Sequence, residues 1–208
     1  MVVQAPVDHP KELITVLGEI GTHALAVGVR RNLQDEQPGF LHARGLRDGV
    51  RALAEFGLPF DACVRSRQLG ELDDLAAAAR ETVIVLNHLG KPRCGDDVAR
   101  WRKALYGLAA RPNLRCKLSG LSTEAAPAAK HADLIAALRT ALDAFGADRC
   151  LYGGDWPIST RAISGQGWLS LVLQCLEEMG ASSTEREDVL SRTAKRTYRF
   201  AEQEQVAP

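Results

Sequence analysis

Short apolar runs alternate along this chain with longer segments in which apolar residues recur every three or four positions. Five of the runs predict buried strands, at 24–29, 59–64, 82–87, 114–118 and 150–153. A very short run at 2–4 predicts a sixth strand. Strands that are apolar on both faces are typical of a parallel sheet covered by helices. We therefore expect an α/β protein.

The segments between the strands have helical periodicity and end at glycine or proline. The first helix is expected to end at Gly21, and the last to begin at Thr184, where Glu187 completes a capping box. Six strands in this alternation fit either a doubly wound open sheet or a barrel that lacks two strands. Periodicity does not distinguish between these two architectures.

Composition excludes some classes of partner. The chain has 208 residues, enough for one domain over 1–208, and its 26 basic residues balance its 26 acidic ones. A net charge of zero gives no electrostatic reason to expect nucleic acid or an anionic membrane as a partner. No apolar run approaches the roughly 20 residues that cross a bilayer.

The start of the chain and the cysteines predict a compartment. The first ten residues, MVVQAPVDHP, lack the basic and apolar regions of a signal peptide. The five cysteines are odd in number and form no C-x-x-C pair, which favours a reducing environment over a disulfide scaffold. We therefore expect a cytoplasmic protein.

Two stretches of similar build carry the main candidates for chemistry. His88 lies just past the run at 82–87, in NHLGKP, and Asp155 lies just past the run at 150–153, in GGDWP. The carboxyl ends of parallel strands share one side of the fold, so these two side chains are expected to meet there. The alternatives are a structural histidine and an aspartate that only caps the next turn.

Lys117 is unusual because it lies inside an apolar strand, in CKLSGL. An unpaired ammonium group is costly to bury, so Lys117 is expected to point to a carboxylate or into a wet site. The alternative is an edge position from which the side chain reaches water.

Arginines follow two of the predicted strands. Arg30 and Arg31 come after the run at 24–29, and Arg65 after the run at 59–64. Such arginines can hold an anionic substrate through two parallel hydrogen bonds. Equally, they can pair with acids of the neighbouring loop, such as Asp35 or Glu36.

Several common catalytic motifs are absent from the sequence. It contains no G-x-G-x-x-G after a strand, no P-loop, no G-x-S-x-G, no H-x-H and no H-E-x-x-H. A catalytic zinc usually takes three protein ligands, and this side of the fold clearly offers two, His88 and Asp155. His9, His23 and His42 are further candidates without a supporting motif.

Taken in order, GVRRNLQDE, FDACVR, VLNHLGKP, CKLSGL and YGGDWP resemble the amidohydrolase-related family. More narrowly they resemble its lactonase branch, which includes L-fuconolactone hydrolase and pyrone-dicarboxylate lactonase. The resemblance runs from about residue 2 to residue 200. It implies a (β/α) TIM-barrel that is incomplete, with strands three to eight present and strands one and two absent. The missing part carries the family's H-x-H, at the end of strand one.

The resemblance also implies a reaction. Asp155 would act as general base on a water that attacks a lactone carbonyl, and His88 would help to polarise the carbonyl oxygen. The substrate-binding residues that it implies are Arg30, Lys91, Lys117 and Trp156. A divalent metal such as zinc is an open possibility, and no cofactor is firmly implied.

Alternatives follow from the same resemblance and from its departures. One is a metal-dependent non-oxidative decarboxylase of the same superfamily, which would need a third zinc ligand. Another is a remnant without catalysis. The final helix has Thr193-Ala194 where relatives usually have Asn-Ala. Absence of two strands predicts a longer working protein, a homo-oligomer that covers the open edges, or loss of activity, and we favour the first.

Overall fold

Six short strands form one parallel sheet, and each strand pairs with the next one in the sequence. The computed structural model describes residues 1–20, 25–96 and 98–198. The strands are β1 (Val2–Gln4), β2 (Gly28–Asn32), β3 (Phe60–Cys63), β4 (Ile84–Leu86), β5 (Leu114–Leu118) and β6 (Cys150–Tyr152). Their spatial order is β1-β2-β3-β4-β5-β6. The expected α/β class is confirmed.

This strand order decides between the two architectures that periodicity left open. A doubly wound sheet reverses its strand order at a switch point, and this sheet has no reversal. Right-handed crossovers that all run in one direction place their helices on one side of the sheet, as in the wall of a barrel. Within the described residues β1 pairs only with β2, and β6 only with β5, so the sheet is not closed.

Helices occupy the segments that the periodicity predicted, and one short helix that was not predicted follows β5. They are α1 (Pro10–Ile20), α2 (Arg44–Glu55), α3 (Leu69–Ala78), α4 (Ala99–Ala109), α5 (Leu121–Glu124), α6 (His131–Phe145), α7 (Gly165–Glu178), α8 (Ser183–Glu187) and α9 (Thr193–Tyr198). A π-helical turn joins α8 to α9. In the described part of the chain, no helix has the length and apolar character that crossing a bilayer requires.

Two local predictions were wrong. The second strand lies at Gly28–Asn32, so Arg30 and Arg31 are within the strand and not after it. The last capping box is formed by Ser182 and Glu185, because each side chain accepts a hydrogen bond from the other's backbone amide. The predicted helix end at Gly21 and the first residue of the predicted strand 24–29 lie outside the described residues.

The two faces of the sheet differ in polarity. The main core fills the space between the sheet and the helices, with Phe60, Ile84 and Leu114 among its buried residues. The opposite face holds only a small apolar cluster, in which Val85 and Leu151 pack with a tyrosine of α9. This second face, called the inner face below, also carries charged side chains, among them Asp61 and Lys117.

Candidate active site

His88 and Asp155 come together at the carboxyl ends of the strands, as the sequence predicted. His88 lies in the turn after β4, and Asp155 follows β6. The Nε2 atom of His88 is 3.8 Å from Oδ1 of Asp155, which is too long for a direct hydrogen bond. The side chains are only 11% and 18% exposed. Both are therefore largely withdrawn from water without being bonded to each other.

Both candidates sit on left-handed backbone. The φ angle is 55° at His88 and 52° at Asp155, and Leu89 and Lys91 also have positive values. Left-handed geometry costs a residue with a side chain about 1–2 kcal/mol, so the surrounding packing must hold it in place. Backbone strain of this kind concentrates at functional sites, which supports a role for this pair beyond packing.

Two buried tryptophans hold these strained turns. The indole Nε1 of Trp101, on α4, donates a hydrogen bond of 2.8 Å to the carbonyl of Leu89. The indole of Trp168, on α7, donates one of 3.0 Å to the carbonyl of Gly153. Each strand exit is thus fixed by a hydrogen bond from a helix.

Ser119 and Gly120 follow β5 and lie next to the His88 side chain. The Oγ atom of Ser119 is 2.8 Å from Nδ1 of His88. Gly120 has a φ of 66°, and a Cβ atom there would collide with Nδ1 of His88 and stand 3.2 Å from Oδ2 of Asp155. Only glycine leaves room for both side chains at this point.

Burial shifts the protonation of both candidates. Burial, together with the smaller effects of the nearby charges of Lys91 and Arg30, lowers the pKa of His88 to about 3, so the imidazole is neutral at neutral pH. Burial also raises the pKa of the Asp155 carboxyl, while Lys91 and Arg30 act in the opposite direction. A carboxylate with a raised pKa is a stronger base.

Lys117 points to a carboxylate, as one of its two predicted arrangements requires. Its Nζ is 2.5 Å from Oδ2 of Asp61, which is 2% exposed. The hydroxyl of Tyr198 donates a hydrogen bond of 2.8 Å to the other oxygen of Asp61, and the Lys117 ammonium lies 5.3 Å from the centre of the tyrosine ring. Asp61, Lys117 and Tyr198 thus form one connected cluster at the inner face of the sheet.

The arginines differ in their partners. Arg31 makes two hydrogen bonds to the Asp8 carboxylate, of 2.7 and 3.0 Å, and lies 3.0 Å from Glu36. Arg65 pairs with Asp35 at 3.0 Å. The predicted alternative of pairing with loop acids thus describes both residues.

Arg30 is arranged differently. Its Nε donates to the side-chain oxygen of Asn32 at 3.1 Å, and across the described residues no carboxylate forms an ion pair with it. Arg30 thus differs from Arg31 and Arg65, each of which pairs with an acidic side chain.

Lys91 lies in the same turn as His88, where its backbone amide donates a hydrogen bond of 2.7 Å to the His88 carbonyl. Its charge lowers the pKa of both His88 and Asp155. Its Nζ is 2.6 Å from Glu124 of α5. Trp156 follows Asp155 directly in the sequence and is 81% exposed. The peptide between Trp156 and Pro157 is cis.

Four residues that belong to this arrangement were not predicted: Asp61, Ser119, Glu124 and Tyr198. Asp61 had a usable signal, because a charged residue within the apolar strand FDAC mirrors Lys117 in CKLSGL. Ser119 had a weaker signal from its place at a strand exit. Glu124 and Tyr198 had none, since nothing local marks a helical residue as a partner for a distant strand.

The donor set does not fit a metal held by these residues alone. His88 and Asp155 are two suitable ligands, and the described residues contain no group of three histidine, cysteine or acidic side chains that could hold an ion. A catalytic zinc usually takes three protein ligands. These two residues therefore fall one short of such a site.

Comparison with known proteins identifies the family. The model of the Amidohydrolase family matches residues 1–200. The chain belongs to this family. An L-fucono-1,5-lactonase of Burkholderia multivorans is 37% identical over 190 residues, which cover 84% of this chain and 63% of the relative. The chain thus spans less than two thirds of the length of that curated relative.

Solved structures agree on the fold. A crystal structure of an amidohydrolase from Burkholderia multivorans with bound zinc has a TM-score of 0.88 and 34% identity, covering 96% of this chain and 73% of that one. A protein from Pseudomonas putida, assigned as a 2-pyrone-4,6-dicarboxylic acid hydrolase, has a TM-score of 0.70 at 22% identity, over 95% of this chain and 71% of that one. The resemblance to the lactonase branch and the truncated barrel that it implied are both confirmed.

Proposed function

We propose that this protein hydrolyses a lactone, derived from a sugar or carrying carboxylates, and that its catalytic residues include Asp155 and His88. The proposal is carried by one observation, the placement of a neutral, buried His88 opposite Asp155 at the carboxyl ends of the strands. The likeness to an L-fucono-1,5-lactonase supports the same reaction class.

Asp155 is proposed as the general base. Its carboxylate takes a proton from a water, and the water oxygen forms a bond to the lactone carbonyl carbon. The ring carbon–oxygen bond then breaks, and the proton passes from Asp155 to the departing ring oxygen, which gives a hydroxy acid. The raised pKa of Asp155 suits both steps, because the same group must accept and then return a proton.

His88 is proposed to stabilise the negative charge that develops on the carbonyl oxygen. When the Ser119 hydroxyl donates to Nδ1, the ring carries its hydrogen on Nε2, the atom that faces Asp155. A neutral imidazole can donate that hydrogen without neutralising the base beside it. Arg30 is proposed as a second donor, because its guanidinium has no carboxylate partner among the residues described.

We rank two other functions below lactone hydrolysis. A non-oxidative decarboxylase would need a third zinc ligand beside His88 and Asp155, and a non-catalytic remnant would leave the strain at these residues without a purpose.

The five cysteines are free and buried, which supports the proposed cytoplasmic setting. Within the described residues, the outer edges of β1 and β6 have no partner strand, which supports a proposed homo-oligomer or a longer chain.

The test is the isosteric change Asp155→Asn, assayed for opening of sugar 1,5-lactones and of 2-pyrone-4,6-dicarboxylate. Loss of a positioned general base should lower kcat at least about 100-fold while the circular dichroism spectrum is retained. Asp96→Asn, at an exposed surface aspartate, is the matched control and should keep its activity. Full activity of Asp155→Asn, or a wild-type chain that opens neither kind of lactone, would overturn the proposal.

A further inference from the structure

Glu124 holds two cations at the edge of the candidate site. It is the last residue of α5, the short helix that follows the exit of β5. Its Oε1 is 2.6 Å from Nζ of Lys91, and its Oε2 is 3.8 Å from a guanidinium nitrogen of Arg65. The Lys91 side chain is 10% exposed and that of Glu124 is 26% exposed, so the closer pair is poorly screened by water.

Lys91 is the cation that matters most to the reacting pair. Among side-chain charges it has the largest effect in lowering the pKa of both His88 and Asp155. Its backbone belongs to the same left-handed turn as His88, with a φ of 53°. A negatively charged substituent on a substrate bound at Asp155 would therefore be attracted by Lys91.

The other cations at these strand ends are already neutralised, with the exception of Arg30. Lys117 pairs with Asp61, and Arg65 also pairs with Asp35. Glu124 neutralises Lys91 in the same way. A substrate carboxylate that approached Lys91 would have to displace Glu124 or lie beside its negative charge, and like charges placed together at a binding site are strongly unfavourable.

We propose that Glu124 is a specificity-determining residue, which acts through Lys91 to reject lactones that carry carboxylates and to favour uncharged polyhydroxy lactones. This inference rests on the proposed lactonase function. The Lys91–Glu124 pair suits a polyhydroxy ring, because the ammonium donates hydrogen bonds to hydroxyl oxygens and the carboxylate accepts them from hydroxyl hydrogens. Glu124 is a positioning residue in this scheme, not a catalytic one.

The test compares Glu124→Gln with the wild type on an uncharged sugar 1,5-lactone and on 2-pyrone-4,6-dicarboxylate. The ratio of kcat/KM for the dicarboxylate to that for the sugar lactone should rise roughly tenfold or more, mainly through KM. Asp35→Asn is the matched control, because it removes a carboxylate from Arg65 and leaves the Lys91–Glu124 pair in place. An unchanged ratio, an equal fall on both substrates, or the same rise in Asp35→Asn would overturn the inference.

Calorimetric titration with pyridine-2,4-dicarboxylate separates this inference from the proposed function. This dianion cannot be hydrolysed, so its binding is measurable even in a chain that opens no lactone. Glu124→Gln should bind it roughly tenfold more tightly than the wild type, and the gain should shrink as salt is added. The double variant Glu124→Gln/Lys91→Met should lose the gain, which places the effect on Lys91. Equal binding by Glu124→Gln and the wild type, or no binding by either, would overturn the role of Glu124.

Discussion

A neutral, buried His88 makes the protein sensitive to acid, and the change His88→Gln should remove that sensitivity. Burial lowers the pKa of His88 from its ordinary 6.5 to about 3 in the folded state. Between these two values the unfolded chain binds a proton that the folded chain excludes. Stability therefore falls as pH falls through about 6.5 towards 3, and this group has little effect on it above pH 7.

The magnitude follows from the two pKa values. At pH 5 the imidazole lowers the free energy of unfolding by about 2 kcal/mol, and at pH 7 by about 0.2 kcal/mol. The figure for pH 5 depends mainly on the unfolded value, so a folded pKa that is a unit higher gives nearly the same result. His88→Gln has no titrating group, and its loss of stability between pH 7 and pH 5 should be about 2 kcal/mol smaller than that of the wild type.

Urea unfolding followed by circular dichroism at pH 7, 6 and 5 measures this difference. Taking the difference between variant and wild type cancels the titration of the other ionisable groups. His131→Gln, at an exposed position on α6, is the control and should follow the wild type at each pH. If His88→Gln and the wild type lost stability in parallel, His88 would be protonated in the folded protein, and the neutral imidazole proposed for catalysis would be refuted.

Two further predictions concern the same site. Gly120→Ala should lower turnover about 100-fold or more and cost about 1–2 kcal/mol of stability, because the added Cβ displaces His88 and the backbone is left-handed there; normal turnover would show that His88 need not occupy its present position. The profile of kcat/KM against pH should show an acid limb from Asp155 with a midpoint above 3.8, since burial raises its pKa. A limb near pH 6.5 that disappears in His88→Gln would contradict the assignment.

The strands were predictable where both faces are apolar and less so where a strand carries charged residues. The rule that buried parallel strands are apolar throughout holds for Ile84–Leu86. It fails at Gly28–Asn32, where Arg30 and Arg31 continue the ladder to β3. The inner face tolerates charge because Asp61 and Lys117 are mutual partners, and this pairing is invisible to a rule based on hydrophobicity alone.

The pairing of His88 with Asp155 was predictable from topology, because both follow parallel strands. Their surroundings were not, since these depend on loops far apart in sequence. Ser119 lies 31 residues from His88, and Glu124 lies 33 residues from Lys91. Nothing in either local sequence indicates that these loops meet, and a left-handed φ at Lys91 has no signal in its residue type.

The positions of His88 and Asp155 in the sheet indicate on which side a further strand could add residues to the site. His88 follows β4, which is paired on both sides, whereas Asp155 follows β6, which is paired in the described structure only with β5. Any strand that added in parallel to the free edge of β6, from a longer chain or a second molecule, would end beside Asp155.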